Sequence, residues 1–538
     1  MRIGLGVDLG STDVRVGAYD LSTDQPIKVV SESVCYYNHG SKRFTQSTHE
    51  IMTALFRCVD ELAIDINNVE SCGVAATCSM AVFSQHSTGK LRPFDVYKLK
   101  TSATQNVVFW MDGSAASDAI DVNRRANFEK DFMGGAFIPE MGVPKLRSIL
   151  HNLRKSEELQ NLEVFDLHTY IAYEMANRYD WNASMLSKKP NKNGIGHDGE
   201  LTGWKDEFYA TILALPSNVK IGPTQVNDRP HAVDVTSCID CYSSYFAISS
   251  PTPDKSLTMV AGTSTCYLYA SSKDLGCIPG VWGPFTNILD STSKGNWFVY
   301  EAGQSTTGKL LEHLFETHPA AREYVSNRDR LLELIESSIE EIEEESLQSI
   351  HLHTKYIFVY GELQGNRTPY CDPDMAGMLI GETTDYSFQD LVFKYAAILE
   401  FLAFQTRHVK ECLGAEIQDI RVSGSQAVNA RLMALISIVN GNIPVKVATA
   451  NSNLMGVKGA YLMGKAAHLK KNVIDIIATN STQDSLLTRV SAPSHLHDNH
   501  KIKSLLEAKY HIYLDMATTQ RKYRSWVNES LTLSKTSS

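Results

Sequence analysis

Two short stretches of this chain share one design. IGLGVDLGSTDVRVGAYDL (3–21) reads as an apolar strand ending on Asp8, a Gly10-Ser11-Thr12 turn, and a second strand marked by alternation. LTMVAGTSTCYLYAS (257–271) repeats it, with Gly262-Thr263-Ser264 in the turn. Backbone N–H groups and hydroxyls at such a turn can face a phosphate, and Asp8 can hold a hydrated Mg²⁺, although one such turn taken alone reads equally well as structural. Two copies in successive halves point to a duplicated α/β fold. The length, 538 residues, exceeds one ordinary core and predicts two large domains.

The first hairpin is followed by a helix over 49–63 and a further strand in SCGVAATCS. SKKPNKNGIGHDGELTG (187–203) reads as a loop and SSPTPDKS (249–256) as a linker. Residues 328–350 form an acidic amphipathic pattern, expected as a surface helix, and 387–413 a long apolar helix. Residues 501–526 read as a terminal helix docking through its Leu, Tyr and Met face. No apolar run is long enough to cross a bilayer, and Asp8 interrupts the N-terminal run, so neither a membrane span nor a signal peptide is expected. The 51 Lys and Arg against 61 Asp and Glu give a formal charge of −10, which argues against a nucleic-acid partner. Ten cysteines scattered without a secretion signal fit reduced thiols and a cytoplasmic location.

EAGQSTTGK (301–309) imitates a Walker loop, with Gly303, Gly308 and Lys309 at the right spacing. A P-loop needs Ser or Thr next, for its Mg²⁺ ion, and this chain has Leu310. Glu301, Gly303 and Gln304 then read either as a polar pocket or as a strand–turn–helix junction. CIDC (238–241) is a lone C-x-x-C without a second pair for zinc. Asp240 within it is placed at a helix start, where the dipole favours an ionised carboxylate that can take a proton from an alcohol. RVSGSQAVNARL (421–432) reads as strand, glycine turn and helix, with backbone at Gly424 open to a flat or phosphorylated ligand. His351 and His353 have no ligand cluster nearby in sequence and are read as non-metal.

Taken in order, GVDLGSTDVR, AATCS, FWMDGSA, PEM, CIDCY, GTSTC, PGVWGP, EAGQSTTGK, GNRTP, SGSQAVN and AKYHIYLDM resemble the FGGY carbohydrate kinase family, especially its ribulokinase-like pentulose kinases. The resemblance runs from residue 3 to about 526. It implies an α/β, actin-like or ribonuclease H-like ATPase fold, two domains around a central cleft. The expected parts are a sugar-binding N-terminal domain over 1–252, a nucleotide-binding C-terminal domain over 253–475, and an extension over 476–538. Asp240 matches the catalytic base. Gly10, Ser11, Thr12, Gly262, Thr263 and Ser264 match the phosphate loops. Gln304, Gly424 and Asn429 fall on the nucleotide side, Asp112, Lys188 and Glu301 on the sugar, and Asp8 would organise Mg²⁺ through water. ATP and Mg²⁺ are the implied cofactors, a sugar or polyol the partner, and a homodimer is left open.

The chain departs from the family at three places. Ala75 stands where Asp is frequent, Gly113 and Ser114 replace a His-Arg pair, and CYSSY follows Asp240 in place of AHAGG. The expected activity is phosphorylation of a primary hydroxyl of a ketopentose, D-ribulose-like, or a pentitol. The alternative is a catalytically weak sugar or nucleotide sensor on the same scaffold.

Overall fold

A computed structural model of the chain describes residues 2–85, 90–99, 101–155, 161–186, 193–226, 229, 232–250, 252–289, 297–448, 452–479, 487–490 and 500–536. The chain forms two compact units. One comprises Met1–Val260, Leu268–Ala302 and Ala448–Leu487, the other Ala261–Tyr267, Gly303–Val447 and Thr488–Ser538. Among the described residues no helix is long and apolar enough to cross a membrane.

The first unit is built on a five-stranded sheet in the order Val235–Ile239, Val69–Ala76, Ile3–Leu9, Asp13–Asp20, Pro26–Ser33. Ile3–Leu9 is buried along its length, as a central strand with both faces covered must be. The glycine turn returns the chain antiparallel, so Leu9 faces Val14 and Asp8 faces Arg15. On its other side Asp8 lies opposite Ala75, and Ala75 opposite Cys238. This register sets Asp8 and the end of the Val235–Ile239 strand at the same level of the sheet. The helix Thr48–Leu62 buries Ile51, Leu55, Cys58 and Leu62 in the core beside it and ends at Ala63 in a left-handed cap.

One face of the sheet is seated by a helix far away in sequence, Met455–His468. The approach is close enough to exclude side chains. A Cβ on Gly73 would lie 1.9 Å from the Ala460 carbonyl oxygen, and one on Gly459 would lie 1.5 Å from that of Ser243. Glycine is required at both by contact rather than by backbone angle. A second sheet in this unit carries Met80–Gln85, antiparallel to Leu162–Asp166.

In the second unit the strands Asp419–Ser423 and Val445–Ala448 pair in parallel, Ile420 opposite Val445. The helix Phe388–Leu413 is mostly buried, from Leu391 through Thr406. The acidic helix spans Arg328–Ser346 and buries only Leu331, Ile335 and Ile339, as a surface helix should. The terminal helix runs from His500 to Thr536, ten residues beyond the sequence-based bound, because no Gly or Pro interrupts it. It docks through Ile502, Leu506, Tyr510, Tyr513 and Met516. Lys509 anchors it to buried Glu400 and, at 2.9 Å, to the Thr354 carbonyl.

Candidate active site

Asp240 is the first residue of the helix Asp240–Ile248, directly after the Val235–Ile239 strand. The chain turns there because Ile239 keeps an extended backbone (φ −66°, ψ 147°) as the helix begins. The Cys241 N–H donates to Asp240 Oδ1 at 2.9 Å. The carboxyl is set deeply while part of the residue stays accessible. Burial raises its pKa to about 6 against the opposing pull of the Cys241 N–H, so it is mostly ionised at neutral pH and close to titrating.

The strand that delivers Asp240 is braced from behind. His168 Nδ1 lies 2.9 Å from Ser237 Oγ and its Nε2 2.8 Å from Glu200 Oε1, all three side chains being buried. Asp166 closes the same cluster by accepting from Leu201 N, Thr202 N and Thr202 Oγ1.

Asp8 is 6% exposed, and burial raises its pKa to about 7, opposed by Arg15 and reinforced by the charges of Asp240 and Asp13. Arg15 reaches Asp8 Oδ2 at 3.4 Å and Asp13 Oδ2 at 2.7 Å. Asp13 Oδ1 is buried with no partner. Asp8 and Asp13 share one guanidinium and one Asp13 oxygen is unsatisfied, a set of oxygen donors that suits a hard, hydrated divalent cation.

The Gly10–Thr12 turn is anchored by its backbone and two neighbours. Gly10 N donates to Asp13 O at 2.9 Å, Trp110 Nε1 to Ser11 Oγ at 3.0 Å, and Gln46 Nε2 to Ser11 O at 3.4 Å. A Cβ on Gly10 would meet nothing closer than 3.5 Å, so the protein itself leaves room there.

Two residues assigned to the sugar by resemblance are also in this unit. Glu301 is fully buried and accepts from Tyr242 OH at 2.7 Å, with Cys241 Sγ at 3.7 Å. Asp112 is fully buried and accepts from Phe44 N, Tyr97 OH, Ser114 N and Ser114 Oγ at 2.7–3.0 Å. Its oxygens tie the FWMDGSA loop together. Lys188 lies outside the described residues.

The second unit holds the other assigned residues. Around Gly262–Ser264 the chain answers the Walker question. Thr307 N and Lys309 N donate to Thr263 O at 3.0 and 3.2 Å, and Gly308 N to Gly262 O at 3.0 Å. The first amides of the Gly308–Thr317 helix, which a P-loop would turn toward phosphate, here bind the neighbouring turn. A Cβ on Gly308 would lie 2.9 Å from Gly262 O, whereas one on Gly262 would meet nothing within 4 Å. Gln304 is fully buried, donating to Thr306 O at 3.1 Å and accepting from Tyr267 OH at 3.3 Å. Gly424 has φ +93° and a Cβ there would lie 2.3 Å from Ala261 O. Asn429 caps the Ala430–Val439 helix through Leu432 N at 2.9 Å and donates to Tyr395 OH at 2.9 Å.

Sequence reasoning missed Arg15, Asp13, Gln46 and Tyr242. Arg15 was legible, because counting the hairpin register outward from the turn sets it opposite Asp8. Gln46, whose Oε1 is buried without a partner, and Tyr242, whose hydroxyl meets a residue 59 positions away, gave no local signal.

Comparisons with known proteins agree with one another. The family model described as the C-terminal domain of the FGGY family of carbohydrate kinases matches residues 257–467. Protein MPA43 of Saccharomyces cerevisiae is 42% identical over 98% of both chains. A D-ribulokinase of the same yeast is 28% identical over 86% of this chain and 71% of its own. Among solved structures, the ligand-bound xylulose kinase from Lactobacillus acidophilus aligns with a TM-score of 0.67 at 14% identity, covering 96% of this chain and 98% of the other.

Proposed function

Because the chain belongs to the FGGY family of carbohydrate kinases, we propose that it transfers the γ-phosphoryl group of ATP to a primary hydroxyl of a ketopentose of the D-ribulose kind, or of a pentitol. The family makes it an ATP-dependent carbohydrate kinase with the two-domain actin-like ATPase fold. The choice of a five-carbon sugar rests on its likeness to the yeast D-ribulokinase.

The observation that carries the mechanism is the state of Asp240: a carboxylate at a helix start, partly accessible, with a pKa raised by burial to about 6. That value suits a general base near neutral pH, since it is ionised yet basic enough to accept a proton. Asp240 takes the proton of the sugar hydroxyl as that oxygen forms its bond to the γ-phosphorus. The bond from the γ-phosphorus to the bridging oxygen breaks, and ADP leaves with the electron pair. The buried Gln46 Oε1 accepts from a further sugar hydroxyl. Glu301 and Tyr242 form the wall beside the helix start, and Lys188 is retained as a sugar contact. The bonds inside the FWMDGSA loop make Asp112 a brace for that loop.

Ser11 and Thr12 take ATP phosphate oxygens through N–H groups and hydroxyls, as do Thr263 and Ser264, while Gly10 and Gly262, whose own N–H groups donate to Asp13 O and Ser264 O, leave room for the phosphates to approach. Gly424 and the helix capped by Asn429 serve the adenosine, with Gln304 stiffening the strand end beneath. Asp8 and Asp13 would hold a hydrated Mg²⁺, which when bound would neutralise charge on the transferring phosphoryl group, leaving Asp240 free to act as base. Arg15 holds Asp8 and Asp13 in place for it.

The test is ADP release from the full chain with ATP, Mg²⁺ and a panel of ketopentoses, pentitols and glycerol. A five-carbon ketose is expected to give the highest kcat/KM, and Asp240→Asn to lower kcat by about 10²–10⁴. Turnover that Asp240→Asn leaves intact would remove Asp240 from the role of base. Ligand-dependent thermal stabilisation with no phosphorylated product from any panel member would support the sensor instead.

A further inference from the structure

The C-terminal end of the Ala430–Val439 helix opens onto a cavity of about 410 Å³ in the second unit. It shares no residue with those assigned above to sugar or nucleotide. Ile438, Val439 and Leu506 give it an apolar side; its polar side carries Lys410, Lys503 and Asn440, together with Arg407 and the carboxylates of Glu411 and Glu507.

Two groups on the polar side are incompletely partnered. Asn440 is 4% exposed. Its Nδ2 donates to Ile436 O at 2.8 Å, and its Oδ1 accepts from nothing. A buried amide oxygen without a donor is a standing cost that a ligand hydroxyl would remove. Lys410 reaches the Asn440 carbonyl only at 3.5 Å, the limit of a hydrogen bond. Burial depresses its pKa more than neighbouring Glu411 raises it, as expected of an ammonium lacking a close anion. Arg407 differs, because Glu411 at 2.8 Å and Glu507 at 2.6 and 3.0 Å already occupy its guanidinium. Lys503 stands exposed at the rim.

An acceptor lacking a donor, two cations and an apolar wall specify complementary chemistry. We propose that this cavity is a ligand site for a small phosphorylated polyol. A hydroxyl donates to Asn440 Oδ1, the phosphate pairs with Lys410 and Lys503, and the carbon chain lies along Val439 and Leu506. The volume falls in the range of small-molecule sites.

Isothermal titration calorimetry of the full chain with glycerol 3-phosphate tests this, with inorganic phosphate and glycerol as partial ligands. Saturable binding of glycerol 3-phosphate is expected, with a Kd at least about tenfold below that of either partial ligand. Lys410→Met and Lys503→Glu should each weaken it about tenfold while leaving sugar-dependent ATP turnover, measured without the ligand, within about twofold. Lys503 is exposed, so its variant keeps the test valid if Lys410→Met does not fold. Absence of saturable binding overturns the proposal. An affinity unchanged in Lys503→Glu and in folded Lys410→Met overturns it as well, since the ligand then sits elsewhere, including at the sugar site. Equal binding of inorganic phosphate would reduce the cavity to an anion site and overturn the polyol.

Discussion

Behind the Gly10–Thr12 turn stand Asp8, Asp13 and Arg15; behind Gly262–Ser264 stand Thr265, Thr307 and the first amides of a helix. The two turns are near copies in sequence. Two positions before the glycine, however, the first has Asp8 and the second Val260, and five positions after it the first has Arg15 and the second Tyr267. Tyr267 is buried and bonds Thr406 at 3.0 Å and Gln304 at 3.3 Å. One backbone device thus carries two kinds of electrostatics. The first turn comes with titratable charge near the proposed base, and the second presents backbone dipoles and hydroxyls. The two turns share a sequence pattern and differ in the side chains around them.

The sharpest way to break this contrast is Asp8→Asn. Turnover should fall about a hundredfold or more, as loss of cation-assisted charge stabilisation does. Stability should move the other way. The Asp8 pKa is raised from 3.8 to about 7, so the folded state binds more protons than the unfolded chain between those values. Stability from this group is therefore lost as pH rises through that window. Asp8→Asn should raise Tm at pH 8, by up to ~4 kcal/mol of stability, and leave it unchanged near pH 4. In the parent protein kcat/KM should decline below about pH 7 and steeply below about pH 6, the values set for Asp8 and Asp240 as a coupled pair. A profile flat down to pH 5 would separate both carboxylates from the chemistry.

Next in size is Gly459→Ala, which forces a methyl group against the Ser243 carbonyl of the helix that begins at Asp240. We expect a loss of ~3 kcal/mol by chemical denaturation, and a parent-like midpoint would show that the seat is softer than its geometry. Gly10→Val and Gly262→Val probe the two turns in parallel. Both positions have room for a side chain, so Tm should hold while KM for ATP rises about tenfold in each, roughly the worth of one hydrogen bond. If only one responds, the phosphates are held by that turn alone. The smallest effect is reserved for Lys309→Met. Its Nζ pairs with Glu312 at 2.7 Å near the surface, and KM for ATP should stay within about twofold. A Walker lysine would instead lose ATP binding outright.

The helix start at Asp240 and both glycine turns were legible because each is written in consecutive residues: a strand pattern, a small-residue turn, a change of period. Rejection of the Walker loop was legible too, from Leu310. Other features were not. Asp112 was matched to the sugar by resemblance alone, and the chain gave no sign that its carboxylate accepts from Phe44, Tyr97 and Ser114, the first of them 68 positions away. Gln304 likewise has both ends of its amide occupied inside the protein.

By itself the sequence determined what depends on neighbours along the chain: the hairpins, the placement of one carboxylate at a helix start, the acidic surface helix. Tertiary structure decided which of the polar residues kept unused hydrogen-bonding capacity. It paired Glu301 with Tyr242, left Gln46 Oε1 and Asn440 Oδ1 without donors, and brought Met455–His468 against a sheet that begins at Ile3. The reason is that satisfaction of a buried polar atom is settled by whatever the fold brings within 3 Å of it, and sequence separation does not encode that distance.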